Sequence, residues 1–130
     1  MPPKAAKKIV FDIESTEHFQ ELVSPENIKI LIVDFFLEWC GPCKVMEPNY
    51  RPMYFSYDFP DQRIDIRTCE VNNICPEWLA QHKEAVGEFT CKPKFGIFLE
   101  GELKGIVEGA DYSAIADYVN KYIPYPPSLD

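Results

Sequence analysis

Apolar side chains are concentrated most strongly in residues 28–37, where they occupy both faces of the chain and Asp34 is the only acid. Such a run is typical of a central strand that helices cover on both sides. Alternating apolar and polar positions predict strands at residues 8–13 and 63–71, and two further strands are predicted at residues 95–99 and 103–108. The turn signal Glu100-Gly101-Glu102 predicts that the last two strands form an antiparallel hairpin.

Apolar residues at helical spacing predict four helices between and after these strands. The first follows the N-cap candidates Ser15 and Thr16, and the last is capped by Ser113. The second runs from Cys43 and contains two prolines four residues apart, which should bend or break it. The third begins at Pro76, and Gly87 closes it. The predicted order is therefore β-α-β-α-β-α-β-β-α.

A chain of 130 residues has room for one domain. The periodic pattern places this domain at residues 8–123, between a basic N-terminal arm at residues 1–7 and a proline-rich tail at residues 124–130. A net charge of −8 disfavours nucleic acid and anionic lipid as partners, since phosphate binding depends on Lys and Arg. Neither a membrane-length apolar run nor a secretory leader is apparent, so we expect a cytoplasmic protein.

The segment Trp39-Cys40-Gly41-Pro42-Cys43 follows the central strand directly, where a helix is expected to begin. A Cys-x-x-Cys pair at such a junction is a redox motif, because the helix N-terminus stabilises a thiolate. Cys40 is predicted to be the attacking nucleophile and Cys43 the resolving thiol, with Cys40–Cys43 as the redox disulfide. Gly41 allows a close approach, and Pro42 presets the helical φ.

Two other interpretations of this cysteine pair have to be compared with the redox one. A structural zinc site requires a second pair of ligands at similar spacing, which neither the other cysteines nor the two histidines supply, so no metal is predicted. The pair could also stay reduced and chemically inert. The odd count of five cysteines disfavours a secreted disulfide framework and is compatible with either remaining interpretation.

Asp34 and Trp39 both precede the cysteine pair in the sequence. Burial in an apolar strand should raise the pKa of Asp34, which suits it to carry the proton of Cys43. Its alternative role is that of a carboxylate satisfied by backbone donors at a strand end. Trp39 is interpreted either as a cover over the sulfurs that contacts substrate or as a half-exposed packing aromatic.

The chain resembles thioredoxins from about residue 8 to residue 123. The resemblance is carried by the Cys-x-x-Cys segment and by motifs that occur in the same order as in that family: Asp34-Phe35, Pro48, Cys91-Lys92-Pro93-Lys94-Phe95 and Gly109-Ala110. The resemblance implies an α/β thioredoxin fold with a five-stranded mixed sheet flanked by four helices. It also implies protein dithiol-disulfide exchange on protein clients, without a cofactor. A thioredoxin reductase would recharge the chain if it acts as a free protein.

By the same resemblance, Pro93 should be cis and pack against Cys40 and Cys43, while the backbone of Lys92 pairs with an extended substrate. Lys94 stands where thioredoxins usually have Thr, so we expect a cation beside the substrate groove. Some animal thioredoxins have a cysteine at the position of Cys91. This residue is therefore either a regulatory thiol that forms mixed disulfides or dimers, or a half-buried small residue.

The two terminal extensions and the lengthened third helix look similar to those of thioredoxin-like light chains of axonemal outer-arm dynein. This resemblance implies a subunit that binds the dynein heavy chain or other axonemal proteins in a cilium or flagellum. Two alternatives remain: a free general cytosolic thioredoxin, and a redox-inert scaffold with the same fold.

Overall fold

The structure is a computed structural model that describes residues 7–126. Its five strands are β1 (Val10–Asp12), β2 (Ile30–Phe36), β3 (Ile64–Glu70), β4 (Lys94–Leu99) and β5 (Glu102–Glu108). They form one sheet in the order β1-β3-β2-β4-β5, in which β1, β3 and β2 are parallel and β4 and β5 are antiparallel to their neighbours. The predicted five-stranded mixed sheet, with β2 at its centre, is confirmed.

The described residues contain seven helices rather than the predicted four: α1 (Thr16–Leu22), α2 (Glu47–Ser56), α3 (Pro60–Arg63), α4 (Val71–Ile74), α5 (Pro76–Gln81), α6 (Lys83–Val86) and α7 (Tyr112–Tyr122). None of them is long and apolar enough to cross a membrane. The predicted arm and tail lie largely outside the described residues, as residues 1–6 and 127–130 do entirely.

The predicted third helix is divided into short helices by local backbone chemistry. Glu70 caps α4 by accepting a hydrogen bond from the backbone N–H of Asn73 at 2.7 Å. The backbone angles of Cys75, φ −137° and ψ 44°, are not helical and end α4. Pro76 then begins α5, and it has no N–H that could continue the hydrogen bonding of α4. His82, at φ −115°, ends α5, and Gly87 closes α6 at φ +74°.

Two other helix starts differ from the prediction. The second helix begins at Glu47 rather than at Cys43, so that Pro48 falls in its first turn, where a missing N–H costs nothing. The last helix is capped by Asp111, whose carboxylate accepts from the N–H of Ala114 at 3.1 Å, and not by Ser113.

The alternation of side chains along β2 divides the core between the two faces of the sheet. Ile30 and Ile32 pack with α2 and α7, whereas Leu31, Val33 and Phe35 pack with α1 and α4. Asp34 is one step out of phase with Phe35 and therefore faces α2. The fold thus places a single acid under the helix that follows the Cys-x-x-Cys motif.

The predicted hairpin is confirmed and turns tightly between β4 and β5. Glu100 and Gly101 both have positive φ, at 51° and 84°, as a two-residue type I′ turn requires. A Cβ on Gly101 would lie only 2.8 Å from the backbone nitrogen of Pro25, so this position also needs glycine for its close contact. The turn thereby contacts the segment that follows α1.

Candidate functional site

The Cys-x-x-Cys segment forms a turn between the end of β2 and the start of α2. The backbone N–H groups of Cys40 and Gly41 both donate to the carbonyl of Leu37, each at 2.9 Å. Gly41 has φ +75°, a conformation that glycine adopts without strain. Since α2 begins only at Glu47, neither cysteine lies in the helix, and the expected thiolate site at a helix N-terminus is not formed in this state.

Cys40 is joined by a disulfide to Cys91, whereas Cys43 is a free thiol. The structure therefore does not hold the predicted Cys40–Cys43 disulfide. The loop between α6 and β4 brings the Cα of Cys91 within 5.5 Å of the Cα of Cys40, inside the range that a disulfide bridges. In this state the sulfur of Cys91 is occupied by a bond within the chain.

The predicted cis bond at Pro93 is wrong for this structure, in which the Lys92–Pro93 peptide bond is trans. The trans form is the lower-energy isomer of an X–Pro bond by about 0.5–1 kcal/mol. The loop around it is held by the carbonyl of Pro93, which accepts from the N–H of Gly109 at 2.7 Å. The N–H of Lys92 bonds within the loop, to Oγ1 of Thr90 at 3.1 Å.

The turn and this loop together enclose a small cavity of about 120 Å³. Most of the site residues predicted from the sequence line it: Asp34, Cys40, Gly41, Pro42, Cys43, Cys91, Lys92 and Pro93. Trp39 does not line it, and 76% of its surface is exposed. Its large exposed ring stands at the rim of the turn.

Lys94 also lies elsewhere than expected. Its side chain is buried under the end of α6, where Nζ donates to the carbonyl of Val86 and lies 3.6 Å from Oε1 of Glu108. The ammonium also stands 5.2 Å from the centre of the Phe89 ring. The ammonium of Lys94 therefore stabilises the loop between α6 and β4 from inside the protein and does not face the substrate groove.

Asp34 is 3% exposed, and its carboxylate has one hydrogen bond within the described residues. Oδ2 accepts from the backbone N–H of Cys43 at 2.8 Å, while Oδ1 has no partner there. Burial raises the pKa of Asp34 to about 7, an effect that the hydrogen bond from Cys43 only partly offsets. This is the direction expected from the sequence, and it lets the carboxyl exchange a proton near neutral pH.

Tyr50 is the site residue that sequence reasoning missed. It lies one turn into α2, is 2% exposed, and its hydroxyl has no hydrogen-bond partner among the described residues. Tyr50, Asp34 and Cys43 line one cavity of about 230 Å³, which is large enough for water. A tyrosine among the apolar positions of a helix was the available signal, because a buried hydroxyl needs a partner.

We expect Tyr50→Phe to raise the pKa of Asp34 further, by about half a unit, because it removes a donor that can reach the carboxylate through cavity water. A titration of the Asp34 carboxyl carbon by NMR measures this change. Tyr54→Phe is the matched control, since Tyr54 is buried on the same helix and does not line this cavity. An equal shift in both variants would contradict a link between Tyr50 and Asp34.

Within the described residues, no three His, Cys, Asp or Glu side chains stand close enough together to hold a metal ion. The geometry instead presents three cysteines around one cavity, with a carboxyl of near-neutral pKa beside one of them. Such an arrangement can exchange disulfides and move the accompanying proton. The sheet order and this site define a dithiol protein built on a mixed five-stranded sheet.

Comparison with known proteins identifies the family. The thioredoxin family model matches residues 10–121. Thioredoxin of Bos taurus is 29% identical over 116 residues, and thioredoxin of Homo sapiens is 28% identical over 117; each alignment covers 88% of this chain and the whole relative. Reduced Schistosoma mansoni thioredoxin superposes with a TM-score of 0.64 at 24% identity, over 89% of this chain and all of the other. The chain belongs to the thioredoxin family and has the thioredoxin fold.

Proposed function

We propose that this protein is a redox-active thioredoxin that reduces protein disulfides through Cys40 and Cys43. The observation that carries the proposal is the contact between Asp34 and Cys43, since it places a carboxyl of pKa about 7 beside the resolving cysteine. A buried carboxyl at this position serves no packing purpose and costs free energy when ionised. Proton transfer during disulfide exchange accounts for it.

In the proposed cycle, the thiolate of Cys40 attacks a client disulfide and releases the first client thiol. Asp34 then takes the proton of the Cys43 thiol, and the resulting thiolate attacks Sγ of Cys40. The bond between Cys40 and the client breaks, the second client thiolate leaves and is protonated, and Cys40–Cys43 forms. The client gains two electrons and two protons, and the reaction needs no cofactor.

The exposed surface around the turn suits clients that present an extended apolar segment. Trp39 and Val45 are 76% and 69% exposed on either side of the two cysteines. Gly41, Pro42, Lys92 and Pro93 line the small cavity together with Cys40, and a client chain lying there would reach Cys40. We assign these residues to client binding, with Cys40 as the only group that bonds the client covalently.

Cys91 is proposed to regulate this cycle. While Cys40 is bonded to Cys91, it cannot act as a nucleophile. Attack of the Cys43 thiolate on Sγ of Cys40 would release the Cys91 thiol and form Cys40–Cys43, with no net oxidation or reduction. A reductase can then restore the active dithiol.

When both proteins are assayed unreduced with dithiothreitol as the electron source, we expect Cys91→Ser to lack the lag that opening of Cys40–Cys91 imposes on wild type. The serine cannot bond Cys40, so Cys40 of the variant is either a free thiol or part of the Cys40–Cys43 pair that the cycle itself uses. Turbidity from precipitating insulin chains measures the lag. Wild-type protein that has first been fully reduced is the control and should match the variant. A persistent lag in Cys91→Ser would contradict the regulatory role.

We further propose that the chain serves as a light-chain subunit of axonemal outer-arm dynein. Support comes from the similarity of its basic arm, its proline-rich tail and the extended segment before Pro93 to such light chains. In this role the thioredoxin site would act on the heavy chain or on neighbouring axonemal proteins. The alternatives are a free cytosolic thioredoxin that a thioredoxin reductase recharges, and a scaffold without redox activity.

Extraction of cilia followed by size fractionation separates these alternatives. A dynein subunit should co-migrate with the heavy chains and dissociate only when the arm is disassembled. A free thioredoxin should elute as a monomer of 15.0 kDa with reductase activity. Elution only as that monomer would contradict the dynein role and leave the free reductase. Co-migration with the heavy chains, without activity in the reduced protein, would favour the scaffold.

A further inference from the structure

Cys69 and Cys75 form a second pair of thiols, on the face of the sheet that the proposed function does not use. Cys69 is the sixth residue of β3 and Cys75 lies between α4 and α5; both are buried, at 0% and 1% exposure. Their sulfur atoms are 3.6 Å apart and share a hydrogen bond. The pair packs with Phe35 and Phe98, in the core opposite to that of Tyr50.

The two sulfurs are in contact but lie beyond bonding distance in the structure. A disulfide needs about 2.05 Å between the sulfurs, so the gap must close by roughly 1.5 Å. Cys75 has φ −137° and ψ 44°, a non-helical conformation at the junction of two short helices. Rotation at this junction, rather than in the paired backbone of β3, would bring the sulfurs together.

Cys75 is also the member of the pair that lines a cavity. It lines a cavity of about 360 Å³ between α1 and α5, together with Thr16, Phe19, Trp78 and Gln81. Cys69 does not line this cavity. Because Cys75 is 1% exposed, a molecule as small as hydrogen peroxide suits this route better than a bulky disulfide does.

We propose that Cys69 and Cys75 form a second redox site, which a hydroperoxide converts into an intramolecular disulfide. Cys75 attacks the peroxide O–O bond, takes up one oxygen as a sulfenic acid and releases an alcohol or, from hydrogen peroxide, water. The sulfur of Cys69 then attacks the sulfur of Cys75, the S–O bond breaks, and a second molecule of water leaves. Two thiols lose two electrons and two protons, and the peroxide is reduced.

The state of the Cys69 thiol slows the closure step. The hydrogen bond with Cys75 and burial both raise the pKa of Cys69, which keeps its sulfur in the protonated and less nucleophilic form. This inference is independent of the proposed function, because neither sulfur takes part in the exchange at Cys40.

The test uses the full chain carrying Cys40→Ser, Cys43→Ser and Cys91→Ser, so that only this pair remains. After exposure to hydrogen peroxide and alkylation of free thiols, intact-mass measurement should show the loss of two hydrogen atoms and no alkylation. Dithiothreitol should reverse both changes. Two free, alkylated thiols in a chain that circular dichroism shows to be folded would overturn the proposal.

Single replacements in the same background identify the order of events. With Cys69→Ser added, a dimedone adduct should accumulate on Cys75 and the disulfide should be lost completely. With Cys75→Ser added, Cys69 should remain an unmodified thiol. A dimedone adduct on Cys69 instead would contradict the assigned access route. Treatment with glutathione disulfide is a second check: a glutathione adduct on Cys75 would show that a bulky disulfide reaches this thiol, and would also contradict the route.

A second measurement covers the case in which the triple variant does not fold. Wild-type protein exposed to hydrogen peroxide is digested without reduction, and its peptides are mapped. A cross-linked peptide joining Cys69 to Cys75 supports the site, whereas Cys75 oxidised to sulfinic acid with Cys69 still free would overturn it. Insulin reduction by freshly reduced wild-type protein reports the proposed function separately.

Discussion

Replacing Cys40 with serine is expected to abolish insulin reduction, with a loss of at least about a thousandfold in rate. The serine hydroxyl remains protonated at neutral pH, so no nucleophile is available to attack a client disulfide. The variant should keep the fold, since the disulfide to Cys91 is a redox state of the loop rather than a part of the core. Turbidity of precipitating insulin chains measures the rate.

The matched control for this loss is Cys69→Ala, which removes a thiol on the opposite face of the sheet. Both variants are assayed after full reduction, so that the state of Cys91 does not affect the comparison. We expect the control to retain its insulin reduction. Activity that survives in Cys40→Ser would eliminate the proposed cycle, because no other residue is proposed to bond the client.

The second large effect is on stability, where Asp34→Asn is expected to raise the free energy of unfolding by about 4 kcal/mol above pH 7. The pKa of Asp34 rises from its ordinary value of 3.8 to about 7 on folding, because the carboxyl is buried. Between these two values the folded chain binds more protons than the unfolded chain. Stability therefore falls as the pH rises through this window, and asparagine removes the loss.

Urea unfolding at pH 4 and at pH 8 measures this effect. The gain from Asp34→Asn should be small at pH 4, where the carboxyl is protonated in the folded chain, and full at pH 8. Asp65→Asn is the control, since Asp65 is also buried but accepts a hydrogen bond from Nε of Arg67 at 2.7 Å. Asp65→Asn should lower the free energy of unfolding, because it weakens this hydrogen bond to a charged group. Equal stability of Asp34→Asn and wild type at pH 8 would contradict the assigned pKa.

The central strand and the hairpin could be predicted because their signals are local and strong. A two-sided apolar run has one reasonable place in a sheet, and residues 28–37 contain the observed β2. Gly101 meets the positive-φ requirement at one of the two turn positions. Pro76 likewise marked a helix start that the structure confirms.

The helix boundaries depended on competition between signals that are individually weak. Pro48 fits the first turn of a helix and decides where α2 begins, although the apolar spacing alone extends back to Cys43. Glu70 and Pro76 impose boundaries inside a segment whose apolar spacing is helical throughout. Capping and missing N–H groups thus outweighed periodicity at each of these points.

The site was predictable as a set of residues but not as a set of bonds. The motif identifies Cys40 and Cys43, yet the pairing of Cys40 with Cys91 depends on a loop that approaches from 51 residues away. The position of Lys94 behind this loop and the exposure of Trp39 are also properties of tertiary packing. Tyr50 became interpretable only when its hydroxyl and Asp34 were found in one cavity.

Capture of a client by the double variant Cys43→Ser, Cys91→Ser tests the proposed exchange most directly. Both changes are needed, because Cys91 bonds Cys40 in the structure and would itself release a trapped client. We predict a stable mixed disulfide between the client and Cys40, identified by mapping the peptides of an insulin adduct, and a faster release once Cys43 is restored. An adduct at Cys69 or Cys75, or no adduct from a folded and reduced protein, would contradict disulfide exchange through Cys40.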